Sequence, residues 1–385
     1  MKKRAIALLL AAAMGLMLCG CSALFKKEYL SVSKYEGDTK SKLGADAIEV
    51  KNYDELLKTI VNMVNAHEIE GRIAFAAYEG NLQRDLDQAC WELEKKTAIG
   101  SFAVEYMSYD LNRIVTYYEA VIYITYKHSR AEVESIEYVS GKSDLKNKLN
   151  DELYEFNRRA FFRLVSSTIS AEEVLGYVET AYALNPASCV LMPKATVQIH
   201  PDSGSQRIVE IDFEYSADTR LLKSMRVELL DEIDRIYEET KNDNPTELAK
   251  ALYNTLAGRC IYDPLGELRA EQGLEPSYAD SAYGALVEKY ADSRGIALAF
   301  SALCNKAGIE CIVVDGSVEK KSHSWNIVKI DDRYYHIDVS ADKTWGFGNS
   351  FMKTDRQMQS RYWWNIESYP ECSDDATQTG PTPQI

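Results

Sequence analysis

Apolar residues recur at every second position along Tyr118–Tyr126 and again along Arg207–Tyr215, the spacing of half-buried antiparallel strands. At helical spacing come Leu221, Met225, Leu229 and Ile233, with Leu222, Val227, Leu230 and Ile236 widening the stripe. This long amphipathic helix is expected to end near Thr240, where Lys241-Asn242-Asp243-Asn244-Pro245 breaks it and marks a domain boundary. Upstream, one order of elements is read twice. The first pass is a helix Asp54–Ala66, a strand Arg72–Tyr78, a helix Leu82–Lys95 and a strand pair near Phe102–Ser108 and Glu119–Lys127. The second is a helix Asp144–Phe156, a strand Arg159–Ser166, a helix Ala171–Ala183 and a strand pair Ala195–Pro201 and Arg207–Ser216. Matching Arg72 to Arg159 gives an offset of 87, and matching Ile124 to Phe213 gives 89. The pattern therefore predicts an N-terminal α/β domain over 46–243, built from tandem α-β-α-β-β units at about 53–140 and 141–241.

The first residues follow another pattern. Lys2, Lys3 and Arg4 precede an apolar run from Ala5 to Leu18, too short for a mature membrane span and typical of a secretory signal. Leu18-Cys19-Gly20-Cys21 resembles the lipobox of bacterial lipoproteins. That resemblance implies removal of residues 1–20, a lipid on Cys21, and attachment to the extracytoplasmic face of a cell membrane. Polar, patternless residues 21–45 then read as a tether. No later apolar run approaches the roughly 20 residues a membrane helix needs.

Charge narrows the partners. The 385 residues carry a formal net charge of −15. Without the three basic residues of the signal, 41 basic residues face 59 acidic ones, a balance of −18. Such a surface repels nucleic acid and suits a cationic partner. Six cysteines remain after Cys21: Cys90, Cys189, Cys260, Cys304, Cys311 and Cys372. They form no C-x-x-C pair and no metal-ligand spacing with histidine, so neither metal nor cofactor is expected, and their disulfide pairing stays open among 15 connectivities.

Candidate chemistry lies in the last third. Its ordered segments are Ser281–Glu288, Asp292-Ser293-Arg294-Gly295-Ile296-Ala297-Leu298, Ala307–Gly316, His323-Ser324-Trp325-Asn326, Tyr334–Val339, Phe351–Asp355 and Tyr369–Cys372. Together they resemble the core of the transglutaminase-like superfamily, including its papain-like bacterial cysteine proteases. The resemblance implies a helix packed on an antiparallel sheet over 244–372, hence an α+β chain; the Thr-, Pro- and Asp-rich residues 373–385 read from their composition as a disordered tail. It further implies a nucleophile two residues before the helix glycine, a base at His323 and an orienting carboxylate at Asp338. Here the nucleophile position holds Ser293.

That residue changes the chemistry. A helix N-terminus favours an anion by at most about 2 kcal/mol, enough to help a thiol ionise but not a hydroxyl. A serine there needs concerted proton removal by a base, as in serine hydrolases. Ser293 also reads as an ordinary N-cap, and His336 shares a strand face with Asp338 and is a rival base. Cys304 lies about 16 Å along the helix and is too far to substitute. Two further departures, Val339-Ser340-Ala341-Asp342 and Tyr362, point to a relaxed site. Among the clustered aromatics Trp345, Trp363, Trp364, Trp325 and Tyr335, the last two are candidate binding residues. The expectation is an inactive domain that binds a peptide, cell-wall fragment or protein partner. The alternative is a serine-dependent hydrolase or acyltransferase using Ser293, His323 and Asp338.

Overall fold

The computed structural model describes residues 46–165, 168–263, 278–341 and 350–373. The signal, Cys21, the tether, Trp345 and the tail from 374 lie outside the described residues. The chain is α+β. It opens with β1 (Ala47–Glu49), α1 (Tyr53–Asn65), β2 (Glu70–Phe75), α2 (Leu82–Lys96), α3 (Ala98–Ala103), β3 (Val104–Ile114) and β4 (Tyr117–Tyr126). After α4 (Arg130–Glu134) come β5 (Glu137–Val139), α5 (Lys142–Glu155), β6 (Arg159–Val165), α6 (Ala171–Leu184), β7 (Lys194–His200) and β8 (Gln206–Glu214).

The first sheet has strand order β1-β2-β4-β3 and the second β5-β6-β8-β7. In each, the outer short strand runs parallel to its neighbour and the other pairings are antiparallel. Both short strands escaped the sequence reading, because three residues carry no periodicity. Residues 98–103 are also helical where a strand start was expected. Thr97 caps that turn, its hydroxyl accepting the Gly100 N–H at 3.1 Å.

Helices cover one face of each sheet. Leu56, Ile60, Leu86 and Leu93 pack with Ile73 and Ile122, and Leu145, Leu149, Val174 and Val178 pack with Phe162 and Ile211. Burying each such side chain is worth about 1.5–3 kcal/mol. The stripe of α7 (Thr219–Thr240) is narrower than its sequence suggested. Leu222, Met225, Leu229, Ile233 and Ile236 are buried, whereas Leu221, Val227 and Leu230 are exposed. The helix breaks at Lys241 and α8 (Pro245–Arg259) follows. Packing does not break there, since the core of the second sheet runs without interruption into the C-terminal elements.

Those elements are β9 (Ile261–Tyr262), a π-helical turn (Gly284–Glu288), β10 (Tyr290–Ala291), α9 (Ser293–Ala307), β11 (Cys311–Val318), β12 (Lys321–Ile330), β13 (Arg333–Asp338), β14 (Ser350–Lys353), α10 (Asp355–Met358) and β15 (Tyr362–Trp363). An antiparallel sheet of order β14-β13-β12-β11-β15 carries the site. The helix α9 is buried nearly all round, from Gly295 to Cys304, as a helix sunk in a core must be. Gly308 ends it at φ 69°, a left-handed position that favours glycine. All six described cysteines are buried.

Candidate active site

Three local devices place Ser293. Asp292 is the N-cap of α9, and its carboxylate accepts the Gly295 N–H at 2.9 Å. Ser293 is therefore the first helical residue and not the cap that its type suggested. The Asp292 N–H donates to the Ala279 carbonyl at 3.0 Å. Gly295 passes so close to the same residue that a Cβ would lie 2.1 Å from the Ala279 oxygen. The helix start is thus clamped to the preceding backbone, which explains the glycine two residues after Ser293.

The helix also meets β12. The Ser293 hydroxyl accepts the backbone N–H of Ser324 at 3.2 Å. Asp315 ties the two elements, accepting from Arg294 at 2.9 Å and from the Ser324 hydroxyl at 2.6 Å. Next to Ser324, His323 binds Asp338 through Nε2 at 2.8 Å. Base chemistry at the opposite ring edge would run through Nδ1. Ser293, His323 and Asp338 are each only 1% exposed.

Asp338 is held from several directions. Besides His323, it accepts the Ser340 N–H at 2.9 Å, the Ser340 hydroxyl at 2.8 Å and the Tyr362 hydroxyl at 2.8 Å. Burial opposes its charge, yet the bonds from His323, Ser340 and Tyr362 outweigh it and hold the carboxyl below its ordinary pKa. The Tyr362 phenol is correspondingly pushed up, first by burial and then by the Asp338 charge. Ser340 and Tyr362 are the two departures that suggested a relaxed site. Their hydroxyls instead fix the carboxylate, so the histidine–aspartate pair is intact. Sequence reasoning noticed both positions without seeing that each supplies a donor.

The other candidates fall elsewhere. His336 is fully buried, and its Nδ1 accepts from the Trp325 indole N–H at 2.9 Å while Nε2 faces Asp355 at 2.8 Å. Because an indole only donates, the His336 proton sits on Nε2. That imidazole is committed and is not a rival base. Trp325 is 1% exposed and packs edge-on against Tyr362 and Trp364. It is a core residue with no ring face to offer a ligand. Tyr335 is half-buried against the main core, on the strand face opposite His336 by alternation.

Among the described residues, His336, Asp355 and Cys372 place potential metal ligands within 4.8 Å of one another. The set fits a cation poorly. Metal binding at Nε2 would displace the proton that the Trp325 bond places there, and burial pushes the Cys372 thiol up, away from the thiolate a metal needs. The group reads as a clamp: Cys372 N–H donates to Asp355 at 3.1 Å, and Asp355 N–H donates to the Cys372 carbonyl at 2.7 Å.

The model of the transglutaminase-like superfamily matches residues 234–339, a span that begins in α7 and ends just past Asp338. Residues 234–339 form a transglutaminase-like domain. No curated protein matches the chain. Among solved structures, a TGase is 12% identical with a TM-score of 0.29, over 62% of this chain and 65% of that one. A protein from Cytophaga hutchinsonii proposed to be a cysteine protease is 14% identical with a TM-score of 0.24, over 38% of this chain and 62% of that one. A protein from Parabacteroides distasonis proposed to be a protease is 10% identical with a TM-score of 0.24, over 69% of this chain and 39% of that one. The chain spans less than two thirds of each of these structures. The assignment of residues 234–339 rests on the family match.

Proposed function

We propose that this is an extracytoplasmic lipoprotein, anchored through Cys21, whose transglutaminase-like domain binds a peptide, cell-wall fragment or protein partner without turning it over. The carrying observation is Ser293 at the nucleophile position, buried and with its hydroxyl accepting the Ser324 N–H. A serine at a helix start gains no useful anion there, because the dipole contributes at most about 2 kcal/mol. The partner's chemistry is set by charge, since a strongly acidic chain favours a cationic or neutral ligand over nucleic acid.

The test is restoration. Residues 22–385 are produced with the natural Ser293 and as Ser293→Cys, and both meet a peptide panel and iodoacetamide. Rapid alkylation or cleavage by Ser293→Cys alone supports a domain that retains its histidine–aspartate pair and lacks its nucleophile. Cleavage by the natural protein sinks the proposal. Lipidation is read separately, as palmitate incorporation lost in Cys21→Ala.

A second reading rests on the fully hydrogen-bonded Asp338. A carboxylate so fixed would orient His323 for concerted proton removal from Ser293, giving a serine-dependent amide or ester hydrolase or acyltransferase. Covalent labelling by a fluorophosphonate, absent in Ser293→Ala, supports this reading. No labelling of the folded natural protein eliminates it.

A further inference from the structure

Two of the six described cysteines converge at the far end of the helix that begins at Ser293. Cys304 lies in the last turn of α9 and is fully buried, and Cys311 is the first residue of β11. The chain reverses tightly between them. The Ile309 N–H donates to the Cys304 carbonyl at 2.9 Å, and Gly308 takes the left-handed conformation that such a helix stop needs. Both side chains turn into one seam between α9 and the sheet. Asn326 on β12 marks that seam, because its amide donates to the Cys311 sulfur at 3.4 Å and to the Ala297 carbonyl at 2.9 Å. Ala297 lies about two turns before Cys304, on the same side of the helix. The Cys304 thiol stands within hydrogen-bonding reach of the Cys311 sulfur.

The other cysteines are placed differently. Cys90 and Cys372 belong to separate hydrophobic clusters. The Cys189 thiol donates to the Leu191 carbonyl at 3.3 Å, and that of Cys260 to the Ile261 carbonyl at 3.6 Å.

We propose that Cys304 and Cys311 close a disulfide when the chain meets a disulfide oxidant, as it would outside the cytoplasm. The compartment rests on the extracytoplasmic reading above, whereas the pairing rests on the geometry alone. One cysteine thiolate attacks the oxidant's disulfide and releases one of its sulfurs as a thiol. The second cysteine then attacks the mixed disulfide and releases the other, so the two cysteines are oxidised and their two hydrogens end on the oxidant's two thiols. In the folded chain burial pushes the Cys304 thiol up, and Cys311 beside it pushes it further, which leaves little thiolate to react. The bond therefore closes during folding, before α9 is packed, and burial then shields it from reductant. It ties the end of α9 to β11, while Arg294 and Asp315 already tie the start, so the helix that carries Ser293 is fixed to one strand at both ends.

The full-length protein is reduced and unfolded in urea, refolded in a glutathione redox buffer, alkylated with N-ethylmaleimide in urea and digested with trypsin. Cleavage after Arg294, Lys306 and Lys320 puts the two cysteines on separate peptides, Gly295–Lys306 and Ala307–Lys320. The expected result is a linked pair of these peptides, two hydrogens lighter than their sum and separated by reductant, with Cys90, Cys189, Cys260 and Cys372 alkylated. The oxidised protein should show a higher urea midpoint than the reduced one, a difference that Cys304→Ser and Cys311→Ser each abolish. Maleimide on both peptides overturns the proposal, and so does either cysteine linked elsewhere. The same mapping is applied to protein exported under its own signal, with palmitate incorporation read in parallel. Palmitate together with alkylated Cys304 and Cys311 refutes the disulfide and leaves the anchor standing, whereas the linked pair without palmitate upholds the disulfide and counts against the anchor alone.

Discussion

Replacing Tyr362 by phenylalanine removes one hydroxyl from a buried carboxylate and keeps the ring. The ring still packs edge-on against Trp325, at a centroid distance of 5.1 Å, so no large cavity forms. What disappears is the 2.8 Å bond to Asp338 Oδ2. A hydrogen bond to a charged group contributes about 1.5–3 kcal/mol, and Asp338 keeps its bonds from His323 and Ser340. The expected loss is therefore about 2 kcal/mol, read as a lower urea midpoint with an unchanged slope. The pH dependence carries a sign. Asp338 has a lowered pKa in the folded protein, so its stabilisation is complete above the unfolded value of about 3.9 and is lost as pH falls through the folded value. Removing one stabilising donor raises the folded pKa, so Tyr362→Phe should begin to lose stability at a higher pH than the natural protein on acidification. A double-mutant cycle with Ser340→Ala should show coupling, because both hydroxyls serve one carboxylate. A change below about 0.5 kcal/mol with an unmoved acid transition would refute the view that Tyr362 holds Asp338.

Gly295→Ala should cost several kcal/mol or abolish folding, because its Cβ would meet the Ala279 carbonyl oxygen at 2.1 Å, and clamped backbone yields less readily than side chains; urea denaturation reads the loss. Trp325→Phe leaves the His336 Nδ1 without its donor and opens space in the small core, for a combined loss of about 3 kcal/mol, checked by the same assay. Leu222→Ala should lose about 2–5 kcal/mol, whereas Leu221→Ala, 46% exposed, should stay within about 0.5 kcal/mol; equal effects would contradict the orientation of α7.

Most elements, and the identities of the residues at the site, were legible from local patterns along the chain. Period-two runs gave β4 and β8, helical spacing placed α1, α2, α5, α6 and α7 to within a few residues, and ordered motifs put Ser293, His323 and Asp338 at the positions of one family. These signals are local, because alternation and helical repeat are set by backbone geometry that each segment carries alone. What the sequence could not provide was the facing of residues distant along the chain. Leu221 and Leu222 differ in burial only because one side of α7 meets a core. Asp292 and Ser293 are both good capping residues, and the clamp at Ala279 decided which one caps. Tyr362 and Ser340 looked like losses, and only the docking of β15 beside β11 and the turn after β13 brought their hydroxyls to Asp338. Trp325 and His336, read as ligand-binding and catalytic candidates, became each other's partners once β12 and β13 paired. Contacts of this kind cost chain entropy to close and depend on the packed arrangement of the whole sheet, which no local pattern records.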